Sequence, residues 1–178
     1  MNKALFLDRD GVINKDIGYA NKVSDMCFIE DIFNLTRLAQ SNNFLIIIIT
    51  NQAGIARGKY SEDDFLNLTS WINRRFLENG IHISDTFYCP HHPDHGIGRY
   101  KKKCRCRKPG SLLFDRAKKK YNIDMGSSVM IGDKISDIEA ANKAGVKKLL
   151  LFSRETMEPQ KLDFKVISSL EAASKALF

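Results

Sequence analysis

The sequence predicts a three-layer α/β/α fold with a doubly wound parallel sheet, and three observations lead to this fold class. Short apolar runs alternate along the chain with segments of helical periodicity. One run, residues 45–49, contains four consecutive isoleucines, which is typical of a strand that helices cover on both faces. Polar residues follow three of the runs at once or after one glycine, namely Asp8, Thr50 and Asp133. Parallel strands present their carboxyl ends at one edge, where ligands bind, so these residues are predicted to lie together.

The strands are predicted from short apolar runs between the helical patterns. They cover residues 4–7, 45–49, 129–131, 149–152 and 164–167. The helices are predicted from apolar residues at three- and four-residue spacing. Two of them begin with candidate capping pairs, Ser61 with Asp64 and Ser136 with Glu139. The predicted helices cover residues 31–41, 61–79, 112–121, 136–144 and 170–177.

Composition describes a globular protein with a basic surface. Of 178 residues, 43% are hydrophobic and 28% charged, and the net charge is +7. A net positive charge favours binding of an acidic partner, which could be nucleic acid, membrane phosphate or a phosphorylated metabolite. It is equally typical of a basic surface that only contacts water. The first residues lack the apolar stretch and cleavage site of a signal peptide, and no window approaches the roughly 20 apolar residues of a membrane span. A cytoplasmic protein without membrane contact is therefore expected.

The segment 88–109 interrupts the alternation and is predicted to be a loop inserted into a single domain of residues 1–178. It contains three cysteines, three histidines and three prolines among many basic residues. Two close pairs of metal-binding side chains are separated by 12 residues. Three thiolates and one imidazole match a closed tetrahedral site, so a structural zinc ion is expected. The predicted ligands are Cys89, His91, Cys104 and Cys106, with His92 and His95 as alternative nitrogen ligands.

Two carboxylates, Asp8 and Asp10, lie where the first predicted strand ends, and Gly11 follows them. Close carboxylates repel, so one of them resists ionisation unless a cation lies between them. A hard divalent ion such as Mg²⁺ binds oxygen ligands, and glycine permits the tight turn that follows. The pattern therefore favours a metal-binding acid pair, although aspartate is also common as a plain turn residue.

The order of these features resembles the haloacid dehalogenase (HAD) superfamily of phosphatases. In that superfamily a Ser or Thr ends the second strand, a Lys precedes a later helix, and an acidic motif follows a later strand. The matching residues here are Thr50, Lys108, Asp133 and Asp137. Each match is weak alone, but their order at strand and helix boundaries is specific. The resemblance implies a HAD-like sheet and a Mg²⁺-dependent phosphoric monoester hydrolase.

The resemblance also implies the roles of the acidic residues. Asp8 is expected to attack phosphorus and form an aspartyl-phosphate. Asp10 is expected to protonate the leaving oxygen and then to activate water. Mg²⁺ is expected on the carboxylates of Asp8 and Asp133 and on the main-chain carbonyl of Asp10.

Further roles follow for residues around the phosphoryl group. Thr50 and the main chain of Asn51 are expected to donate hydrogen bonds to it, and Lys108 to neutralise its charge. Asp137 is expected to orient Lys108 or the metal site. The residues expected to contact substrate are Asp16, Gly18, Tyr19, Thr50, Asn51, Gln52, Ala53, Arg107, Lys108 and Lys134.

The zinc loop narrows the resemblance to sugar bisphosphate phosphatases of the superfamily. It implies a bacterial, cytoplasmic monomer that removes the 7-phosphate of a heptose 1,7-bisphosphate and leaves the 1-phosphate, in nucleotide-heptose and lipopolysaccharide synthesis. The stretches that carry it are residues 6–11, 16–19, 50–58, 89–93, 104–109 and 131–134.

Three alternatives remain open on the sequence. The first is a histidinol-phosphate phosphatase, because that group shares the zinc loop. The second is a zinc-dependent nucleic-acid-binding module, since residues 101–108 are strongly basic, but Tyr100 is the sole aromatic beside them for base stacking. The third is a catalytically inactive relative, which the intact Asp8 and Asp10 pair disfavours.

Overall fold

The computed structural model describes residues 1–153 and 162–177 of the chain. Within these residues, six strands form one sheet in the order β3-β2-β1-β4-β5-β6, and every neighbouring pair is parallel. The α/β fold class predicted from the sequence is confirmed. The strands are β1 Lys3–Leu7, β2 Phe44–Asn51, β3 Ile83–Cys89, β4 Val129–Gly132, β5 Lys148–Phe152 and β6 Lys165–Ile167.

Helices cover both faces of the sheet and create two apolar cores. Leu5 and Leu7 of β1 face the first core, whereas Phe6 faces the second, because successive side chains of a strand point to opposite faces. The first core contains residues of α1, α3 and α6, and the second contains residues of α4 and α5. The helices are α1 Ile32–Ser41, α2 Ala53–Ala56, α3 Glu62–Glu78, α4 Leu112–Tyr121, α5 Ile135–Lys143 and α6 Leu170–Leu177.

One strand and one α-helix of the described residues were not predicted. β3 lies at the edge of the sheet and is only partly buried along most of its length, so its sequence lacks a continuous apolar run. Its last residues, Tyr88 and Cys89, belonged to the predicted loop. α2 is a single turn of four residues, too short to show helical periodicity.

One of the two capping predictions is confirmed and the other is wrong. Ser61 Oγ accepts from Asp64 N at 3.0 Å, and Asp64 Oδ2 accepts from Ser61 N at 2.8 Å. By contrast, α5 begins at Ile135 rather than at 136, so Ser136 lies inside its first turn. Asp137 takes the capping role there, since its Oδ2 accepts from Lys134 N at 3.0 Å.

The sheet order places β1 between β2 and β4, and this arrangement positions the site. Leu7 pairs with Ile48 on one side and with Ile131 on the other. The residues that follow these strands therefore meet at one edge, with Asp8 in the middle. Along residues 1–153 and 162–177, no helix has the length and apolar character that crossing a bilayer requires. The sequence from Arg154 onward suggests no role, and residues 154–161 lie outside the described ranges.

Candidate active site

Asp8 lies at the centre of the site, directly after β1. Its side chain is buried, and its Oδ1 accepts from Arg9 N at 2.7 Å and from Lys108 Nζ at 3.0 Å. Its own main-chain N–H donates to Ile131 O at 3.1 Å, which fixes the strand end against β4. The carboxylate is thus held with its second oxygen available.

Lys108 is buried opposite Asp8, with 3% of its surface exposed. Besides Asp8, its Nζ contacts Asp137 Oδ1 at 2.7 Å and donates to Ile49 O at 2.8 Å, so the three hydrogens of the ammonium group are engaged. Burial lowers the pKa of Lys108, but the carboxylates of Asp8 and Asp137 outweigh it and raise the pKa above the usual value. The lysine is therefore a fixed positive charge.

The side chain of Asn51 holds the main chain of Lys108 from both sides. Asn51 Oδ1 accepts from Lys108 N at 3.0 Å, and Asn51 Nδ2 donates to Lys108 O at 3.2 Å. The sequence suggested a contact from the main chain of Asn51 to substrate and missed this role of its side chain. The pair joins the end of β2 to the end of the inserted loop.

A group of carboxylates lies beside Lys108. One oxygen from each of Asp8, Asp133 and Asp137 lies within 4.8 Å of the others. Burial raises the pKa of Asp8 to about 7, against the opposing pull of Lys108, and burial raises the pKa of Asp133 to about 6. Asp133 Oδ1 is buried, and no partner for it exists among the described residues. Excess negative charge and a spare buried oxygen fit a hard divalent cation.

Gly11 permits the approach of Asp133 to the first strand. Its φ of 93° lies in the left-handed region, and a Cβ there would overlap the Asp133 carboxylate. The glycine is required both for the turn and for the position of the acid.

Asp10 is held by three side chains. Arg9 donates from Nε and Nη2 to its two oxygens at 3.0 and 3.1 Å, and Asn14 Nδ2 donates to Oδ1 at 3.0 Å. Gln52 Nε2 donates to Oδ2 at 3.2 Å. Arg9 is itself buried and donates to Ala20 O at 2.9 Å. The sequence suggested no role for Arg9, because an arginine between two aspartates is typical of an ion pair at the protein surface.

A cavity of about 370 Å³ opens over Asp8 and Asp10. At its rim, Lys134 Nζ pairs with Asp16 Oδ2 at 3.0 Å. Asp133 instead lines a neighbouring cavity of about 670 Å³, which also includes Asp16 but not Asp8. Every residue that was expected to contact substrate lines the smaller cavity: Asp16, Gly18, Tyr19, Thr50, Asn51, Gln52, Ala53, Arg107, Lys108 and Lys134.

The predicted zinc ligands also converge. The sulfur atoms of Cys89, Cys104 and Cys106 lie 3.2 to 3.5 Å apart, and His91 Nδ1 lies 3.4 Å from Cys106 Sγ and 3.7 Å from Cys89 Sγ. Three sulfurs and one nitrogen around one point form the donor set that tetrahedral zinc requires. The alternative ligand His92 is engaged elsewhere, since its Nδ1 accepts from the main chain of residues 94 and 95.

Comparison with known proteins agrees with this geometry. Residues 105–173 match the HAD-hydrolase-like family model. The chain is 50% identical to D-glycero-beta-D-manno-heptose-1,7-bisphosphate 7-phosphatase of Vibrio cholerae, over 83% of this chain and 80% of that protein. It is 48% identical to D-glycero-alpha-D-manno-heptose-1,7-bisphosphate 7-phosphatase of Burkholderia mallei, over 84% and 79%. The crystal structure of D,D-heptose 1.7-bisphosphate phosphatase from B. bronchiseptica, complexed with magnesium and phosphate, has a TM-score of 0.85, 26% identity and coverage of 98% and 97%.

The parallel sheet, the buried acid cluster and the fixed lysine define a phosphoric monoester hydrolase. The chain belongs to the HAD superfamily of phosphatases, in the group that contains the two heptose bisphosphate phosphatases just described. The resemblance inferred from the sequence motifs is thus confirmed.

Replacement of Gly11 by alanine tests the close approach of Asp133. Gly11→Ala should lower kcat/KM for a phosphate ester by about 100-fold or more, because the added methyl group displaces the acid. Gly80→Ala is the matched control, since Gly80 also has a positive φ of 74° but nothing within 4 Å of an added Cβ. Each change should cost about 1–2 kcal/mol in backbone strain, which denaturant unfolding of Gly80→Ala measures by itself, whereas Gly11→Ala also carries the overlap with Asp133. Equal activities of the two variants would contradict the prediction.

Proposed function

We propose that this enzyme hydrolyses the 7-phosphate of D-glycero-D-manno-heptose 1,7-bisphosphate and leaves the phosphate at C1 in place. The observation that carries the proposal is the meeting of Asp8, Lys108 and the predicted sugar-binding residues around one cavity. Identities of 48–50% to phosphatases named for this substrate support the same assignment. The names of those two relatives differ in the anomer, so the proposal covers the sugar and not the anomer.

The reaction begins with attack of an Asp8 oxygen on phosphorus. The oxygen–phosphorus bond to Asp8 forms while the bond from phosphorus to the sugar oxygen breaks, which yields an aspartyl-phosphate. Asp10 gives a proton to the departing alkoxide. In the second half, Asp10 takes a proton from water, which attacks phosphorus and releases inorganic phosphate and the Asp8 carboxylate.

The acid cluster fits Mg²⁺ as the catalytic metal. The carboxylates of Asp8 and Asp133 and the main-chain carbonyl of Asp10 would hold it, whereas Asp137 is committed to Lys108 and to the start of α5. When bound, the ion neutralises the repulsion between the Asp8 carboxylate and the anionic ester. The magnesium and phosphate in the B. bronchiseptica structure support this assignment.

Thr50 and Lys108 face the transferring phosphoryl group in this proposal. Thr50 Oγ1 already accepts from Gln52 Nε2 at 2.8 Å, so its own hydrogen remains for a phosphoryl oxygen. Lys108 supplies a positive charge that is held in place before the substrate arrives. Because neither group has to reorganise, both favour the transition state over the ground state.

The rest of the substrate would occupy the cavity rim. Arg107 suits the phosphate at C1, since a guanidinium group binds phosphate through two hydrogen bonds. Its Nη1 donates to His91 O at 3.4 Å, which connects it to the predicted zinc ligands. Asp16, Tyr19 and Lys134 are proposed to contact the sugar.

The zinc ion is proposed to be structural. Four protein ligands leave no open position for a substrate or water. Segment 88–109 is too polar to form a core of its own, so the metal would order it and fix Arg107 and Lys108, which directly follow Cys106. We further propose one domain over residues 1–178, a monomer, a cytoplasmic location and a place in nucleotide-heptose and lipopolysaccharide synthesis.

A substrate panel tests the proposed specificity. Phosphate release should be at least about 100-fold faster in kcat/KM for heptose 1,7-bisphosphate than for histidinol phosphate, because the second phosphate gives Arg107 a charged partner. Release should stop after one phosphate per sugar and should require Mg²⁺. Higher activity on histidinol phosphate would instead assign the chain to the alternative group with the same zinc loop.

Replacement of Asp8 by asparagine tests the nucleophile. Asp8→Asn should lower kcat by about 1,000-fold or more, because an amide does not attack phosphorus at a useful rate. Acid quenching of the parent enzyme with radiolabelled substrate should trap phosphate on the protein, and the variant should trap none. Substantial turnover by the variant in Mg²⁺ would show that another group is the nucleophile.

Replacement of a predicted zinc ligand tests the role of the loop. Cys106→Ala should lose the metal and lower kcat/KM by about tenfold to 100-fold, because Lys108 is no longer held firmly. Cys27→Ala is the control, since Cys27 is an exposed free cysteine outside the cluster. Elemental analysis by mass spectrometry and phosphate release measure the two effects. Full activity of zinc-free Cys106→Ala would disprove the positioning role.

A further inference from the structure

Tyr60 lines the active-site cavity but has no part in the mechanism above. Its ring belongs to a small apolar cluster with Ile55 and Phe65, and 8% of the residue is exposed. Gly54 gives the ring its space, because a Cβ at that residue would overlap the Tyr60 ring. The turn of α2 thus leaves room for a tyrosine at this place beside the catalytic acids.

The Tyr60 hydroxyl is connected to Asp10 through Gln52. It donates to Gln52 Oε1 at 2.5 Å, and Gln52 is buried with 1% of its surface exposed. The two hydrogens of Gln52 Nε2 are directed to Asp10 Oδ2 at 3.2 Å and Thr50 Oγ1 at 2.8 Å. The amide is therefore occupied by protein partners on both sides, although it lies at the cavity wall.

The Asp10 carboxylate sets which way the Gln52 amide faces, and the Tyr60 hydroxyl anchors the amide oxygen in that orientation. A side-chain amide turned by half a rotation keeps nearly the same shape but exchanges its acceptor and its donors. In the turned state, Gln52 Oε1 would face the Asp10 carboxylate, and two acceptors would meet. Burial raises the pKa of Tyr60 to about 12, so its hydroxyl keeps the proton that Oε1 accepts.

We propose that Tyr60 is a positioning residue for catalysis, which acts through Gln52 to hold the Asp10 carboxyl group toward the leaving oxygen. The inference rests on the proposed function, in which Asp10 is the general acid. Arg9 and Asn14 donate to the Asp10 carboxyl group directly. The remaining hydrogen bond to Oδ2 comes from Gln52, and we call the path from Tyr60 through Gln52 to Asp10 the relay.

Two aryl phosphates of nearly the same shape separate this role from substrate binding. Phenyl phosphate needs a proton on its leaving oxygen as the bond to phosphorus breaks, whereas 4-nitrophenyl phosphate releases a stable anion without one. In both cases Asp8 forms the new bond to phosphorus, and kcat/KM reports that step. Tyr60→Phe should lower kcat/KM for phenyl phosphate by about tenfold and for 4-nitrophenyl phosphate by less than about threefold.

Tyr88→Phe is the matched control. Tyr88 packs against the same aromatic cluster, but its hydroxyl donates to Glu62 Oε1 at 2.8 Å, away from Asp10. This variant should keep the parent values for both substrates. Thermal unfolding of both variants shows whether loss of a hydroxyl from the cluster affects the fold equally.

Asp10→Asn is the reference that separates failure of this inference from failure of the proposed function. It should show a much larger selective loss on phenyl phosphate. If Asp10→Asn shows no selectivity, the assignment of Asp10 as the acid is wrong. If Asp10→Asn is selective but Tyr60→Phe is unchanged, or loses equally on both substrates, the relay is wrong. If Tyr60→Phe is unstable, Gln52→Leu breaks the same relay at the amide and also removes the bond to Thr50. That variant must then lose more kcat/KM on phenyl phosphate than on 4-nitrophenyl phosphate.

Discussion

The structure depends on one buried charge cluster, in which the Lys108 ammonium group lies between the carboxylates of Asp8 and Asp137. Transfer of such charges from water into the protein interior costs several kcal/mol of desolvation free energy for each ion, and only close pairing of opposite charges offsets this cost. The three groups come from the end of β1, the end of the inserted loop and the first turn of α5. The cluster therefore holds together segments that are far apart in sequence and fixes the reactive oxygen relative to the sheet.

Much of the fold could be predicted from the sequence, because parallel strands that are buried on both faces have continuous apolar runs. Strands β1, β2 and β4 are of this kind, and the polar residues after them identified the catalytic edge. β3 escaped prediction because an edge strand is only half covered and tolerates polar residues such as Asp85. The start of α5 was misplaced because Asp137 caps it, and the sequence offered Ser136 as an equally good candidate.

The part of the candidate site that could be predicted from the sequence consists of residues whose type is dictated by the metal ion or the phosphate group they would bind. Carboxylates for a hard cation and thiolates for zinc are recognisable from residue type and spacing alone. The supporting contacts were not. Asn51 binds the main chain of Lys108, 57 positions away, and Tyr60 reaches Gln52 across the turn of α2. Arg9 does bind its sequence neighbour Asp10, but its burial is a result of the fold that the sequence does not show. A side chain that binds another side chain, rather than a ligand, has no fixed spacing in the sequence.

The two hydrogen bonds between the Asn51 side chain and the main chain of Lys108 imitate a pair of neighbouring strands. They attach the exit of the inserted segment to the sheet independently of what residues 92–103 contain. None of residues 92–103 lines the cavity over Asp8 and Asp10. Evolution or protein design can therefore change the length or the charge of that stretch while the reacting groups beneath it keep their places.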